Sequence, residues 1–346
     1  MNTFEIMKLR PLLLLLLLFT ACRHDKKTTA SFYYWKTVYN ANPAESAYCN
    51  KLHVNKLYVR IMDVDMDETG TNPVPISPVD FKNKLPDTVS IIPVVFIVND
   101  ILKNTTKPAL DALAKKILFF VKGKVEQSGK NSYQELQIDC DWTLSTRDNY
   151  FYLLKKIREQ THQQKKTLSV TLRLHQLKNQ KRNGIPPADR VMLMCYNMGN
   201  LRKYGNQNSI LDIAEMKKYA NSNISDYHLP VDIALPLFSW AVAFRGKEYI
   251  GISKHVNYRD LNNPVQFVKQ MGSIYRAKTD LPQYGFKIND EVRWENTSLP
   301  ALQDAAKYLS GLIKSDTINV AYFHLDEATI QAFKYEDLEK ITHLLN

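Results

Sequence analysis

The sequence predicts a (β/α)8 barrel with an insertion after strand seven. Eight short runs of apolar or alternating composition recur along the chain, and segments of helical periodicity separate them. Several of these runs end in acidic or aromatic residues, as strands do when their C-terminal ends form one face of a barrel. At 346 residues the chain is also long enough for one large α/β domain.

The N-terminus reads as a processing signal. Lys8 and Arg10 form a basic segment, residues 12–19 an apolar one, and Thr20 and Ala21 are small residues before Cys22. Phe19-Thr-Ala-Cys22 resembles the bacterial lipobox, with Phe19 where Leu is usual; a start at Met7 would give a more typical leader. The resemblance implies removal of residues 1–21, lipidation (palmitate) of Cys22, and a short tether, residues 22–30, joining a barrel of residues 31–346 to a membrane. The expected location is the cell envelope, lipid-anchored, on the periplasmic side of the outer membrane, since Arg23 and His24 give no acidic surface-export signal. The net charge is +11, but the lysines read as scattered, with no basic helix and no nucleic-acid module. No nucleic acid is therefore expected as partner, and the charge reads as solvated surface facing an anionic envelope. Cys49, Cys140 and Cys195 remain after lipidation and read as buried thiols, the last two pointing into a helix layer. No Cys or His pair has zinc-ligand spacing, and neither metal nor cofactor is expected.

Residues 32–39 are aromatic and β-branched and read as the first strand. A polar helix near 44–50 leads to the second, 56–63, which ends among Asp63, Asp65, Asp67 and Glu68. A Pro-rich loop precedes the third, 91–98, a continuous apolar run suited to burial on both faces. Residues 110–125 then show helical spacing, with Leu113, Ile117, Phe120 and Val121 on one side. The fourth strand, Glu135-Leu-Gln-Ile-Asp-Cys-Asp-Trp-Thr143, organises the chain, because period-two alternation places Asp139 and Asp141 on one face. Its helix, 145–158, is capped by Ser145 or Thr146. Strands five (167–174) and six (190–196) follow, the latter running into Asn197, Met198 and Gly199. After a helix at 210–219 come strand seven (231–238), strand eight (318–324) and a final helix at 335–345. Residues 241–297 are too long for an ordinary loop and predict a subdomain over the barrel mouth, with Tyr258, Trp294 and Glu295 among its ligand-facing candidates.

The polar residues at the strand ends form the candidate site: Trp35, Asp63, Asp65, Asp139, Asp141, Arg173, His175, Tyr196, Asn197, Ser239, Trp240, His324, Asp326 and Glu327. Acids mixed with Trp and Tyr suit a carbohydrate, since carboxylates take hydroxyl protons while aromatic faces cover the apolar faces of sugar rings.

Ile138-Asp-Cys-Asp-Trp-Thr143 resembles the fourth-strand signature of chitinase-like family 18 glycoside hydrolases, Asp-x-x-Asp-x-Asp-Trp-Glu, and Met194-Cys-Tyr-Asn197 resembles their sixth-strand Met-x-Tyr-Asp/Asn. The chain also looks like bacterial lipoprotein barrels that share an Asp-x-Asp strand followed by a Tyr-rich helix. The resemblance implies a carbohydrate ligand. In that family the Glu protonates the glycosidic oxygen, while the neighbouring Asp and the sixth-strand Tyr orient the substrate's N-acetyl group, the nucleophile. Anchored on Trp142, Asp139 and Asp141 match the second and third acids, a residue at or beside Leu136 replaces the first, and Thr143 replaces the proton-donating Glu. Two expectations follow. One is a glycan-binding barrel whose family-type catalysis is lost or altered, with Trp35, Asp63, Trp142, Arg173, Tyr196, Asn197, Trp240 and Asp326 contacting the sugar. The other is an active hydrolase in which Asp139 assists and Asp141, or Glu327 or Asp326 at strand eight, or Glu295 in the insertion, supplies the acid.

Overall fold

The computed structural model describes residues 26–346. The leader and Cys22 lie outside the described residues. Eight parallel strands close into a barrel: β1 (Lys27–Tyr34), β2 (Lys56–Met66), β3 (Ser90–Ile97), β4 (Glu135–Asp139), β5 (Thr167–Arg173), β6 (Arg190–Met194), β7 (Val231–Pro236) and β8 (Thr317–Phe323). β1 closes the ring by pairing with β2 on one side and β8 on the other. The first strand starts earlier than its aromatic run suggests. Residues 27–30 belong to this strand rather than to a tether and pair with Thr317 to Val320.

Helices cover the outside because each carries an apolar stripe. In α1 (Lys107–Gln127) Leu110, Leu113, Ala114, Ile117, Val121 and Val125 are buried, and the Thr106 side chain caps the Ala109 N–H. Phe120, expected on that stripe, is 39% exposed, and Phe119 beside it is 76% exposed. In α2 (Arg147–Gln163) Tyr150, Leu153, Leu154 and Ile157 face the strands. Cys140 and Cys195 are buried free thiols in this outer core, as expected.

The barrel interior has two unlike walls. Ile92 and Val94 of β3, Met192 and Met194 of β6, Ala234 of β7 and Ala321 of β8 pack with Tyr33 and Tyr58 into an apolar inner core. Between β3 and β6 the inward positions are polar: Glu135, Gln137 and Asp139 on β4 alternate with Leu136 and Ile138, and Ser169 and Thr171 on β5 alternate with Leu168 and Val170. These polar residues bond rung by rung, Ser169 Oγ to Glu135 Oε1 at 2.6 Å and Thr171 Oγ1 to Asp139 Oδ1 at 2.6 Å, while Tyr33 Oη donates to Gln137 Oε1 at 2.6 Å. Paired this way, the buried polar groups escape the cost of burial without a partner.

The insertion forms a five-stranded antiparallel sheet of Glu248–Ser253, Ser239–Arg245, Glu291–Asn296, Ile274–Ala277 and Phe267–Lys269, in that spatial order. It has its own core, with Ala243, Leu261, Phe267, Tyr275, Phe286 and Val292. Its fastening to the barrel is polar. The buried Arg293 donates to the carbonyls of Leu201 and Lys203 in the loop after β6, and Tyr204 Oη donates to Glu291 at 2.7 Å. Asn206 of the same loop accepts from the N–H and the hydroxyl of Ser273, and Gly272 (φ 66°) permits it, since a Cβ there would sit 1.9 Å from the Asn206 side chain.

Candidate functional site

β4 delivers its acids to the C-terminal end of the barrel, one buried and one not. Asp139 ends the strand, facing inward and only 4% exposed. Burial pushes its carboxyl up to about 6; Asp141 adds to the rise, whereas the Thr171 hydrogen bond, Arg173 and Arg60 oppose it. Asp141 lies in the loop just beyond, its side chain 48% exposed, and takes both arms of Arg173: Nε to Oδ1 at 2.5 Å and Nη2 to Oδ2 at 2.8 Å. The two acids are thus neighbours, as alternation predicts, but the strand itself stops at the first.

Around them the β2 wall adds a second pair. A bulge between Arg60 and Met62 resets the alternation, so Asp63 returns inward beside Arg60 and accepts from its Nε at 2.6 Å. Cα register then aligns Asp63, Phe96 and Asp139 across β2, β3 and β4. Arg60 also lies over the Trp35 ring at 5.5 Å, which places Trp35 at the same mouth, 5.6 Å from Phe323. From β6, Tyr196 enters the inner core against Phe323 and Phe238. Its hydroxyl is buried and has no hydrogen-bond partner among the described residues. Burial raises its pKa, Arg173 opposes that rise, and Asp139 and Asp141 add to it, so the phenol stays protonated as a donor.

Other sequence-derived candidates go elsewhere. Trp142 is 1% exposed, and its ring packs on Tyr150 at 6.1 Å and Phe151 at 5.2 Å of α2, in the helix layer rather than the mouth. It follows the strand end, where the chain already turns outward. Asn197 is exposed in a left-handed turn (φ 54°), where its N–H bonds Ile210 O and reverses the chain after β6. Trp240 is half-buried, with Nε1 donating to Glu295 Oε2 at 2.9 Å. Glu295 itself is 1% exposed and also accepts from Ser209 N, Ser209 Oγ and Arg293 Nε, each at 2.6 Å, so both of its oxygens are engaged in architecture.

At β8, Asp326 caps a short helix by accepting from Thr329 N at 2.7 Å and faces His324 Nε2 at 3.3 Å. Burial lowers the His324 pKa. Glu327 is exposed at the first turn of that helix and accepts from Gln331 at 3.1 Å. β8 lies diametrically across the barrel from β4, which separates Glu327 from the Asp139 cluster. Thr143 is exposed, its hydroxyl 3.0 Å from Ser145 Oγ.

A groove of about 710 Å³ runs between the ends of β7 and β8 and the insertion, with Phe238, Tyr258, Trp294, Asn296, His324 and Asp326 on its walls. Tyr258 and Trp294 adjoin at 5.8 Å between ring centroids. Sequence reading missed Arg60, Thr171 and Phe323. The first two could have been found as inward positions two residues from Tyr58 and from Arg173; Phe323 had no signal beyond its strand.

The molecule is thus a closed (β/α)8 barrel with its polar cluster at the C-terminal end and a subdomain inserted after β7. Solved structures of the same fold include the spore cortex-lytic enzyme SleL of Bacillus megaterium (14% identity, 93% of this chain and 75% of that chain, TM-score 0.56). They also include a chitinase of Chromobacterium violaceum (11%, 92% and 99%, 0.54). A third is catalytic domain 2 of the Ostrinia furnacalis Group II chitinase in complex with penta-N-acetylchitooctaose (13%, 92% and 96%, 0.55). No protein-family model matches the sequence, and no curated protein is similar to it. The fold is chitinase-like.

Proposed function

We propose that this protein is a lipid-anchored barrel of the cell envelope that binds envelope or host glycans at its mouth, with chitinase-type acid catalysis lost or altered. The observation that carries the reading is Thr143. It stands where the resemblance calls for a proton-donating Glu, and its hydroxyl is exposed and engaged with Ser145 and Thr146 in the turn to α2. A threonine hydroxyl does not supply a proton near neutral pH. The binding half of the motif is retained. Asp139 and Asp141 sit together at the mouth, the Tyr196 hydroxyl has no partner among the described residues, and Trp35 lines the same opening. The aromatic pair Tyr258 and Trp294, beside His324 and Asp326, extends the polar and aromatic surface towards the insertion. Chitinase-like relatives in fold act on or bind glycans, and the carbohydrate ligand proposed here draws on that likeness.

One observation favours the second reading, an altered hydrolase: a buried carboxyl, Asp139, that titrates near 6. Its weakness lies in the partner acids. Asp141 holds a bidentate arginine with both oxygens, and Glu327 sits in the helix after β8, across the barrel from β4.

The experiment is mass spectrometry of products, with calorimetric binding in parallel, on the mature chain carrying Cys22→Ser, against N-acetylglucosamine oligomers, N-glycans and peptidoglycan fragments. The chain must keep residues 27–30, which belong to β1. Binding without product is the expected result. Cleavage by the parent but not by Asp141→Asn would establish a hydrolase that uses Asp141.

A further inference from the structure

The outward face of α1 carries the largest unexplained apolar exposure on a helix of the barrel. Phe119 is 76% exposed and Phe120 39%, their rings edge to face at 5.9 Å. Burying either ring would be favourable by the ordinary area rule, and neither is covered by the insertion or by another helix. With Lys122, Gly123 and Pro78 they border a shallow hollow of about 470 Å³.

Among the charges around the rings lysines outnumber acids, with Glu126 on the rim of the hollow. Lys115 and Lys116 lie one turn before the two rings, and Lys122 follows them; all three are exposed, and no acid occurs between Asp111 and Glu126. Three exposed lysines thus stand beside the two rings on one helix. Lys124 belongs to the architecture instead, donating to Val79 O at 2.7 Å.

The position of this face relative to the chain start gives it meaning. α1 runs antiparallel to the strands, and its C-terminal end reaches the start of β3, where Ser128 O accepts from Leu85 N and Lys130 donates to Pro86 O. The first strand begins at that same end with Lys27, and Cys22 stands five residues before it in the sequence, a reach of at most about 18 Å. An acyl chain on Cys22 would keep the N-terminal end of the barrel, and with it the C-terminal end of α1, near a bilayer.

We propose that the Phe119–Phe120 face is a membrane-docking surface for an anionic phospholipid bilayer. The two rings enter the interface and Lys115, Lys116 and Lys122 pair with headgroup phosphates, so that the flank of the barrel lies along the membrane. A single acyl chain gives only reversible attachment, so a second contact of this kind adds to the residence of the protein on its membrane. The inference rests on the lipoprotein reading, but its test does not.

The test uses the mature chain with Cys22→Ser, which has no acyl chain, sedimented with phosphatidylethanolamine vesicles that do or do not contain phosphatidylglycerol. The expected result is pelleting with the anionic vesicles, weakened about tenfold by Phe119→Ser and about fivefold by each of Lys115→Gln and Lys116→Gln. Raised salt is expected to release the protein. Equal pelleting of parent and Phe119→Ser, or none by the parent, would overturn the proposal. So would a parent dimer in light scattering that Phe119→Ser makes monomeric, since the face would then join two copies. Acylation of Cys22 is read separately, from the mass of the N-terminal peptide of protein isolated from cells, so the two ideas can fail independently.

Discussion

Two clusters of buried acid lie at the C-terminal side of this barrel, and they differ in how their charge is answered. At the junction with the insertion, Glu295 accepts from Arg293, Ser209 and Trp240, and Arg293, fully buried, spends its remaining donors on loop carbonyls. At the mouth, Asp139 has one short hydrogen bond from Thr171, a like-charged neighbour, and an ionisation pushed up to about 6, while Tyr196 beside it has no partner among the described residues. A carboxylate that is saturated with donors fixes two pieces of structure relative to each other. One left short of donors keeps capacity for a ligand.

The comparison breaks most sharply at Glu295. Glu295→Ala strands Arg293 without its counter-charge in a dry junction and is expected to cost about 3–5 kcal/mol, read as the shift in a urea unfolding curve. A small effect there would mean that the junction is wet and the contrast false.

Asp139→Asn is expected to behave oppositely and to stabilise the protein at neutral pH by about 2 kcal/mol. The folded-state pKa of Asp139 is raised, so its favourable contribution is complete below 3.8 and is lost as pH rises through about 6. Asparagine keeps the bond from Thr171 and removes that loss. Asp232, pushed up to about 6 by its own burial despite Arg190, adds a similar dependence to both proteins, so the difference between the two pH profiles isolates Asp139. A profile unchanged by the substitution would show that Asp139 is ionised without cost.

Arg173→Ala is a smaller test. Its pair with Asp141 is half-exposed, so unfolding should shift by about 1 kcal/mol or less, while affinity for the bound glycan in calorimetry should fall about tenfold as Asp141 loses its orientation. Loss of stability without loss of affinity would make the pair a brace like Glu295. Thr143→Ala should change stability by under about 0.5 kcal/mol and glycan binding not at all, because the side chain is exposed and touches only its own turn. A large loss of activity on any substrate would assign that hydroxyl a role.

The barrel was legible because its evidence is periodic. Strands β3 and β5 to β8 fall within a residue or two of their apolar runs, and the alternation Glu135, Gln137, Asp139 against Leu136 and Ile138 predicted a polar inward face. Asp63 and Trp35, named from the ends of their apolar runs, both lie beside Arg60 at the barrel mouth. Where the chain leaves regular structure, alternation loses its meaning. Trp142, three residues past Asp139, rotates into the helix layer, and Asn197 serves a left-handed turn. Helical spacing likewise placed Phe120 with Ile117 and Val121, since a stripe read from sequence has no edge; the neighbouring helix and strands decide where cover ends.

The sequence alone determined the eight strands, the inserted segment after the seventh, and the identity of the residue at 143, because these depend on local pattern and on side-chain chemistry. Only the tertiary structure decided which acids are architecture and which remain short of partners. Glu295 and Asp139 look alike as letters, and the difference lies in donors contributed by residues 209, 240 and 293 to one and by residue 171 to the other. A carboxylate's role follows from the sum of what surrounds it, and that sum is collected across the fold.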